Sequence, residues 1–191
     1  MDVFRLAATD QQDRFKMRTV RTKVYSFDEL TEDAKLTVIG NLSDINVNYE
    51  WWESTYEDAK NIGLKITSFD IGRASICEGS LIWDVAEVTN AIIKEHGETC
   101  ATFETAKQYL TDYNNLVVKY SDGIKTDIVA EGNEYDFDQE ADDLDANFLQ
   151  SILEDYRMIL SKEYDYLTSS EAIKESIEAN SYEFLENGNI F

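Results

Sequence analysis

Not one of the 191 residues is proline, where average usage of about 5% predicts roughly nine or ten. Proline breaks helix interiors and cannot donate to a sheet ladder, so its absence removes the strongest interrupter from the whole chain. What remains favoured is uninterrupted helix joined by turns of Gly, Asn and Asp. Three Trp, eleven Tyr and nine Phe provide large side chains to bury, which a disordered acidic tail lacks. A folded, helix-rich chain follows, long enough for one sizeable domain.

Periodicity fills in the elements. VRTKVYSF alternates as a strand through Val20, Val24, Tyr25 and Phe27. SFDELTEDAKLTVIGNLSDI predicts a helix capped by Ser26 or Asp28, with Leu30, Ala34, Val38 and Leu42 on one face. NYEWWESTYEDAKNIG predicts a second helix closed by Gly63, with Trp52, Tyr56 and Ala59 sharing a stripe and Trp51 facing elsewhere, so that one Trp enters the core and the other partly covers a neighbour or anchors an interface. LKITSFDI and ASICEGSLIW are β-branched runs that predict a hairpin or two adjacent strands. Two amphipathic helices follow, from Asp84 to Gly97 and from Thr102 to Tyr120, and then a turn with a short strand over 121–130. From Asp142 the spacing of Leu144, Phe148, Ile152 and Tyr156 predicts a strong helix. Thr168 and Glu171 form a capping box for a last helix closed by Gly188. The fold class is α+β: mostly helical, with a small antiparallel sheet or hairpin and a helical C-terminal third. Residues 1–24 stand apart as a basic segment ahead of a single domain, 25–191.

Charge is the second constraint. The net charge is −22, distributed as +3 over residues 1–24, −10 over 25–126 and −15 over 127–191. Residues 131–148, EGNEYDFDQEADDLDANF, hold eight carboxylates and no Lys or Arg. Such a surface repels nucleic-acid phosphates and anionic membranes, so direct nucleic-acid binding by the acidic face and membrane association are excluded. Its complement is a basic protein surface. With two cysteines and no apolar leader or spanning segment, the expected location is the cytoplasm.

Chemistry-bearing patterns are sparse. Numbered from Asp136, an EF-hand loop would need glycine at position 6 and glutamate at position 12, where the chain has Ala141 and Asn147. His96, Cys100 and Cys77 lack the paired spacing of a zinc site, and His96 at a helix C-terminus suits the helix dipole without catalysis. Phosphate-binding loops, a nucleophile elbow and a His-Glu-x-x-His pair are all missing. The expectation is a protein without catalytic residues, metal or cofactor.

Glu171, Glu175 and Glu178 follow i, i+4, i+7 spacing, and like charges at that spacing weaken a helix by a few tenths of a kcal/mol each. An arrangement unhelpful to folding points to binding. Helix-borne carboxylates loosely imitate a phosphate row. The candidate partner-binding set is Asp136, Asp138, Glu140, Asp142, Asp143, Asp145, Glu154, Asp155, Glu171, Glu175 and Glu178, with Trp51 as an aromatic contact.

The stretch VYSFDELTEDAKLTVIGNL…NYEWWESTYEDAKNIGLKITSFDI, continued by AIIKEHGETCATFETAKQYL, resembles short acidic proteins of bacteriophages and mobile elements, some labelled antitoxins. Phe27, Leu30, Ala34, Lys35, Tyr49, Trp51, Trp52, Tyr56, Gly63, Phe69 and Asp70 carry the likeness, over about residues 24–115. The resemblance brings no catalytic residues. It implies a phage-borne, acidic protein of counter-defence, and together with the acidic surface the expected function is an inhibitor that fills the nucleic-acid groove of a host defence protein, an RNA-guided nuclease or restriction enzyme. The alternatives are an antitoxin for a small basic toxin, with the basic N-terminal segment as a DNA-contacting arm, and an acidic interaction domain without mimicry.

Overall fold

The computed structural model describes residues 20–124 and 133–191. Among them are six α-helices and one two-stranded antiparallel sheet: α1 (Glu32–Asn41), α2 (Glu53–Asn61), β1 (Leu64–Asp70), β2 (Ile76–Leu81), α3 (Val85–Glu95), α4 (Ala101–Ile124), α5 (Asn133–Leu167) and α6 (Ser170–Ala179). The α+β class and the helical C-terminal region are as the periodicity predicts. Residues 1–19 of the basic segment 1–24 and residues 125–132 lie outside the described residues, and with them most of the turn and short strand expected over 121–130; residues 121–124 instead continue α4.

Side chains sort this chain into two apolar clusters. The larger joins Ala59 and Ile62, at the end of α2, to Leu64 and Ile66 of β1, Val88 and Ile92 of α3, Tyr109 of α4 and Phe148, Ile152 and Tyr156 of α5. The smaller joins Phe27, Leu30, Ala34 and Val38 to Ile173 and Ile177 of α6 and to Phe184 in the C-terminal tail. Asn46 ties them together. Its amide donates to the Leu167 carbonyl at the end of α5, and its side-chain oxygen accepts from the Ser176 hydroxyl on α6.

Local chemistry sets the element ends. Thr31, Asp84 and Ser169 cap α1, α3 and α6, each accepting from the backbone N–H three residues on. Ser26 caps only a short 3-10 turn, Phe27–Glu29, whose exit at Leu30 is extended. The predicted long first helix is therefore two pieces, because Thr31 offers a second cap inside it. The strand expected around Val24 is reduced to a single bridge, Tyr25 with Phe184. Gly63 adopts φ +84°, and an added Cβ there would fall 2.5 Å from the Trp83 ring, so both backbone and packing demand glycine. α6 stops at Ala179 rather than running to Gly188, and the tail beyond it turns back so that Phe184 bridges both Tyr25 and Ile190. Its cap is Ser169. Thr168 instead donates to the Tyr164 carbonyl.

Candidate functional site

The acidic stretch is helix, not loop: α5 begins at Asn133 and runs for 35 residues, about 52 Å at 1.5 Å per residue. The earlier start follows from Phe137, Ala141, Leu144 and Phe148, whose i, i+4, i+7 and i+11 spacing lays one stripe against α4. Tyr120 of α4 meets Phe137 edge-on at 5.4 Å, and Tyr109 meets Phe148 at 5.0 Å. Carboxylates that radiate from a continuous helix cannot wrap around an ion as a calcium loop does. No group of three metal-ligating side chains is present among the described residues.

At 100° per residue the six candidate carboxylates from Asp136 to Asp145 form two rows rather than one face. Asp136, Glu140 and Asp143 follow i, i+4, i+7 on one flank of the packed stripe. Asp138, Asp142 and Asp145 repeat the spacing on the other flank. Each row spends one member on α4. Glu140 accepts from Lys119 at 2.6 Å and from the Tyr120 hydroxyl at 2.9 Å, and these bonds hold its carboxyl below the usual range. Asp145 accepts from the Tyr109 hydroxyl at 2.7 Å, and burial with that bond pushes the phenol well above the ordinary tyrosine value. Asp136, Asp138, Asp142 and Asp143 are exposed.

The remaining predicted residues are not gathered with these. Glu154 is clasped by Arg157, which also donates to Ser75 beside the hairpin. Asp155 accepts from Thr105 of α4 at 2.6 Å in a half-buried position. Glu171, Glu175 and Glu178 ride on α6, beyond the far end of α5, some 33 Å along that helix from Asp145. There Tyr166 donates to Glu175, and Lys174 pairs with Glu178 at 3.4 Å. The acidic third thus presents two separate zones.

Trp51 requires a correction. It is only 8% exposed, its ring 5.7 Å from those of Trp52, Phe69 and Tyr164. The helical-wheel argument fails because α2 starts at Glu53, so the Trp pair precedes the helix and Trp52 occupies its N-cap. Trp52 is the half-buried member.

Of the residues weighed for catalysis, Cys100 is exposed, and His96 and Cys77 lie against other elements of the fold. His96 caps the end of α3 with Nδ1 2.7 Å from the Thr102 hydroxyl and Nε2 3.8 Å from Asp58, which accepts from the buried Tyr156 hydroxyl at 2.7 Å. This chain of contacts links α2, α3, α4 and α5. Burial, with the Glu154 charge nearby, pushes the Cys77 thiol up to about 11, so it stays protonated at neutral pH.

Asp155 shows the cost of a carboxylate in the wrong place. Burial, the largest influence, raises its carboxyl above the ordinary value, the Thr105 bond partly offsets this, and the Glu154 charge adds to it. Its ionisation is therefore harder in the folded chain than in the unfolded one. The contribution of Asp155 to stability is therefore most favourable below the ordinary Asp range and is lost as pH rises from that range through the raised folded value. Asp155→Asn, which keeps an acceptor for Thr105, should melt higher than the parent at about pH 7 and equal to it near about pH 3. A variant less stable at neutral pH would show that the carboxylate is a net stabiliser.

No helix among the described residues is long and apolar enough to cross a membrane. No protein-family model matches the chain, and neither curated proteins nor solved structures yield a significant match.

Proposed function

We propose that the chain is a non-catalytic binding protein whose N-terminal half of α5 occupies a basic, nucleic-acid-binding groove on a protein partner. The observation that carries this is the pair of carboxylate rows on opposite flanks of one helix. The four exposed aspartates, Asp136, Asp138, Asp142 and Asp143, fall within seven residue steps, about 10.5 Å of axis, or one charge per roughly 3 Å, against one per about 1.7 Å in duplex DNA. The two rows are separated by the width of a helix, about 10 Å with side chains, a spacing close to the roughly 12 Å width of the major groove. A cleft whose cations are set to receive two phosphate rows can receive these. The target class, on the resemblance to phage-borne acidic proteins, is an RNA-guided nuclease or a restriction enzyme.

The test is DNA cleavage by a panel of such nucleases with and without the protein. Inhibition relieved by added non-substrate duplex, and weakening at least tenfold between about 0.05 M and 0.5 M salt, is the expected result, because exposed charges are screened over about 10 Å at 0.1 M. No inhibition, or inhibition indifferent to duplex and to salt, would remove the reading.

A further inference from the structure

Away from the carboxylate rows, the hairpin leaves an edge open. Among the described residues β1 pairs only with β2, so alternate N–H and C=O groups of Leu64–Asp70 turn away from the ladder. No backbone hydrogen bond from another element reaches them among the described residues. An unpaired edge is a template for a further strand, and on β1 it is divided by a bulge between Ile66 and Ser68, which bends the seven-residue strand at Thr67. Beside it a groove of about 490 Å³ runs between β1 and α2, lined by Trp52, Tyr56, Ile66 and Ile82.

The groove is electrically polar along its length. β1 starts beside the end of α2, where the Gly63 N–H donates to the Lys60 carbonyl, and it finishes near the start of α2, where Phe69 lies 5.6 Å from Trp52. Lys60 and Lys65 therefore stand at one end, Glu50 and Glu53 stand with Trp52 at the other, and Glu57 lies between them, one turn along α2 from both Glu53 and Lys60. An aromatic ring between carboxylates suits a guanidinium or ammonium group, and the two lysines suit a carboxylate. A strand running antiparallel to β1 would enter with its N-terminus at the Trp52 end, and antiparallel pairing is the more stable arrangement.

We propose that this edge and groove take an extended segment of a protein partner by antiparallel strand addition, a cationic side chain at the Trp52 end and an acidic one at the Lys60 and Lys65 end. Alternate side chains between them face the groove, and main-chain bonds to β1 supply affinity. The site is independent of the α5 carboxylates.

The probe is the capped peptide Arg-Thr-Val-Thr-Val-Thr-Glu, about 20 Å when extended and so matched to β1. Its control is the same composition in reverse order. Titration followed by tryptophan fluorescence, with amide shifts read by NMR, should show the forward peptide binding at least tenfold tighter, with shifts concentrated on Leu64–Asp70. N-methylation of alternate peptide bonds should abolish binding, because it removes the ladder donors. The exposed pair of exchanges Glu53→Lys and Lys65→Glu leaves one cation and one anion at each end and should therefore erase the preference between the two orders. Equal affinity of the parent for both orders, or full binding by the N-methylated peptide, overturns the proposal, as does a dimer of the free protein paired through β1. The exchanges Asp136→Lys, Asp138→Lys, Asp142→Lys and Asp143→Lys should leave peptide binding intact, so failure of the acidic-helix reading and failure of this one are separately visible.

Discussion

Phe184→Ala should lower stability by about 3–5 kcal/mol, the range for truncating a buried Phe, and should do so unevenly. Phe184 is 0% exposed. Its ring stands 6.5 Å from Phe27 and 6.4 Å from Tyr182, and its backbone exchanges two 2.9 Å hydrogen bonds with Tyr25. It thereby closes the smaller apolar cluster from both the N-terminal and the C-terminal side. The larger cluster, built around Ile152 and Tyr156, contains none of these residues. A typical domain has only about 5–15 kcal/mol in total, so a loss on this scale in one cluster separates local from global opening. Hydrogen exchange is the measurement. Amides of α1 and α6 should lose protection in the variant while those of α3 keep theirs. Ile152→Ala, at about 2–5 kcal/mol, should instead loosen α3, α4 and α5 together. Uniform loss of protection in Phe184→Ala would mean that the two clusters form a single cooperative unit.

How much of this was legible before the fold was known depended on whether apolar spacing or charge dominated each segment. The hairpin, α3, α4 up to Tyr120 and the Gly63 stop follow directly from β-branched runs, amphipathic stripes and a glycine closing a helical pattern, whereas the last turn of α4, 121–124, reads as a turn because of its Ser-Asp-Gly. The start of α5 was hidden, because eight carboxylates over 131–148 drown a stripe that Phe137, Ala141 and Leu144 do carry. A search for apolar spacing that ignored the charges would have found it. The inversion of Trp51 and Trp52 was not legible. It depends on the helix beginning at Glu53 rather than at Asn48, and on Phe69 and Tyr164, remote in sequence, arriving at Trp51. The same holds for the acidic set. Spacing alone assigns Asp145 and Asp155 to solvent rows, and only the packing of α4 on α5 supplies Tyr109 and Thr105 as their donors. The tail could not be foreseen from periodicity either, since Phe184 is held by backbone bridges to Tyr25 and Ile190 rather than by a helix.

The four exposed aspartates give the largest functional prediction. Changing Asp136, Asp138, Asp142 and Asp143 to Lys shifts the charge by two units at each position, from −22 to −14 overall. The chain stays acidic, so general solubility and bulk repulsion change far less than the field around the two rows. Electrostatic steering raises association rates by about 10–10³-fold, and a nuclease inhibited by the parent should bind the variant that much more slowly, with inhibition lost at matched concentration. Glu140 and Asp145 are left in place because their bonds to Lys119, Tyr120 and Tyr109 hold α5 against α4. The helical circular-dichroism signal should therefore persist. Replacing the same four residues by Asn separates the two parts of the effect: removing the charges should slow association less than reversing them does, and should flatten its salt dependence. Stopped-flow association rates at two ionic strengths read both. Unchanged rates in the lysine variant would mean that the partner meets some other face, and that the carboxylate rows serve only to keep the molecule apart from its neighbours.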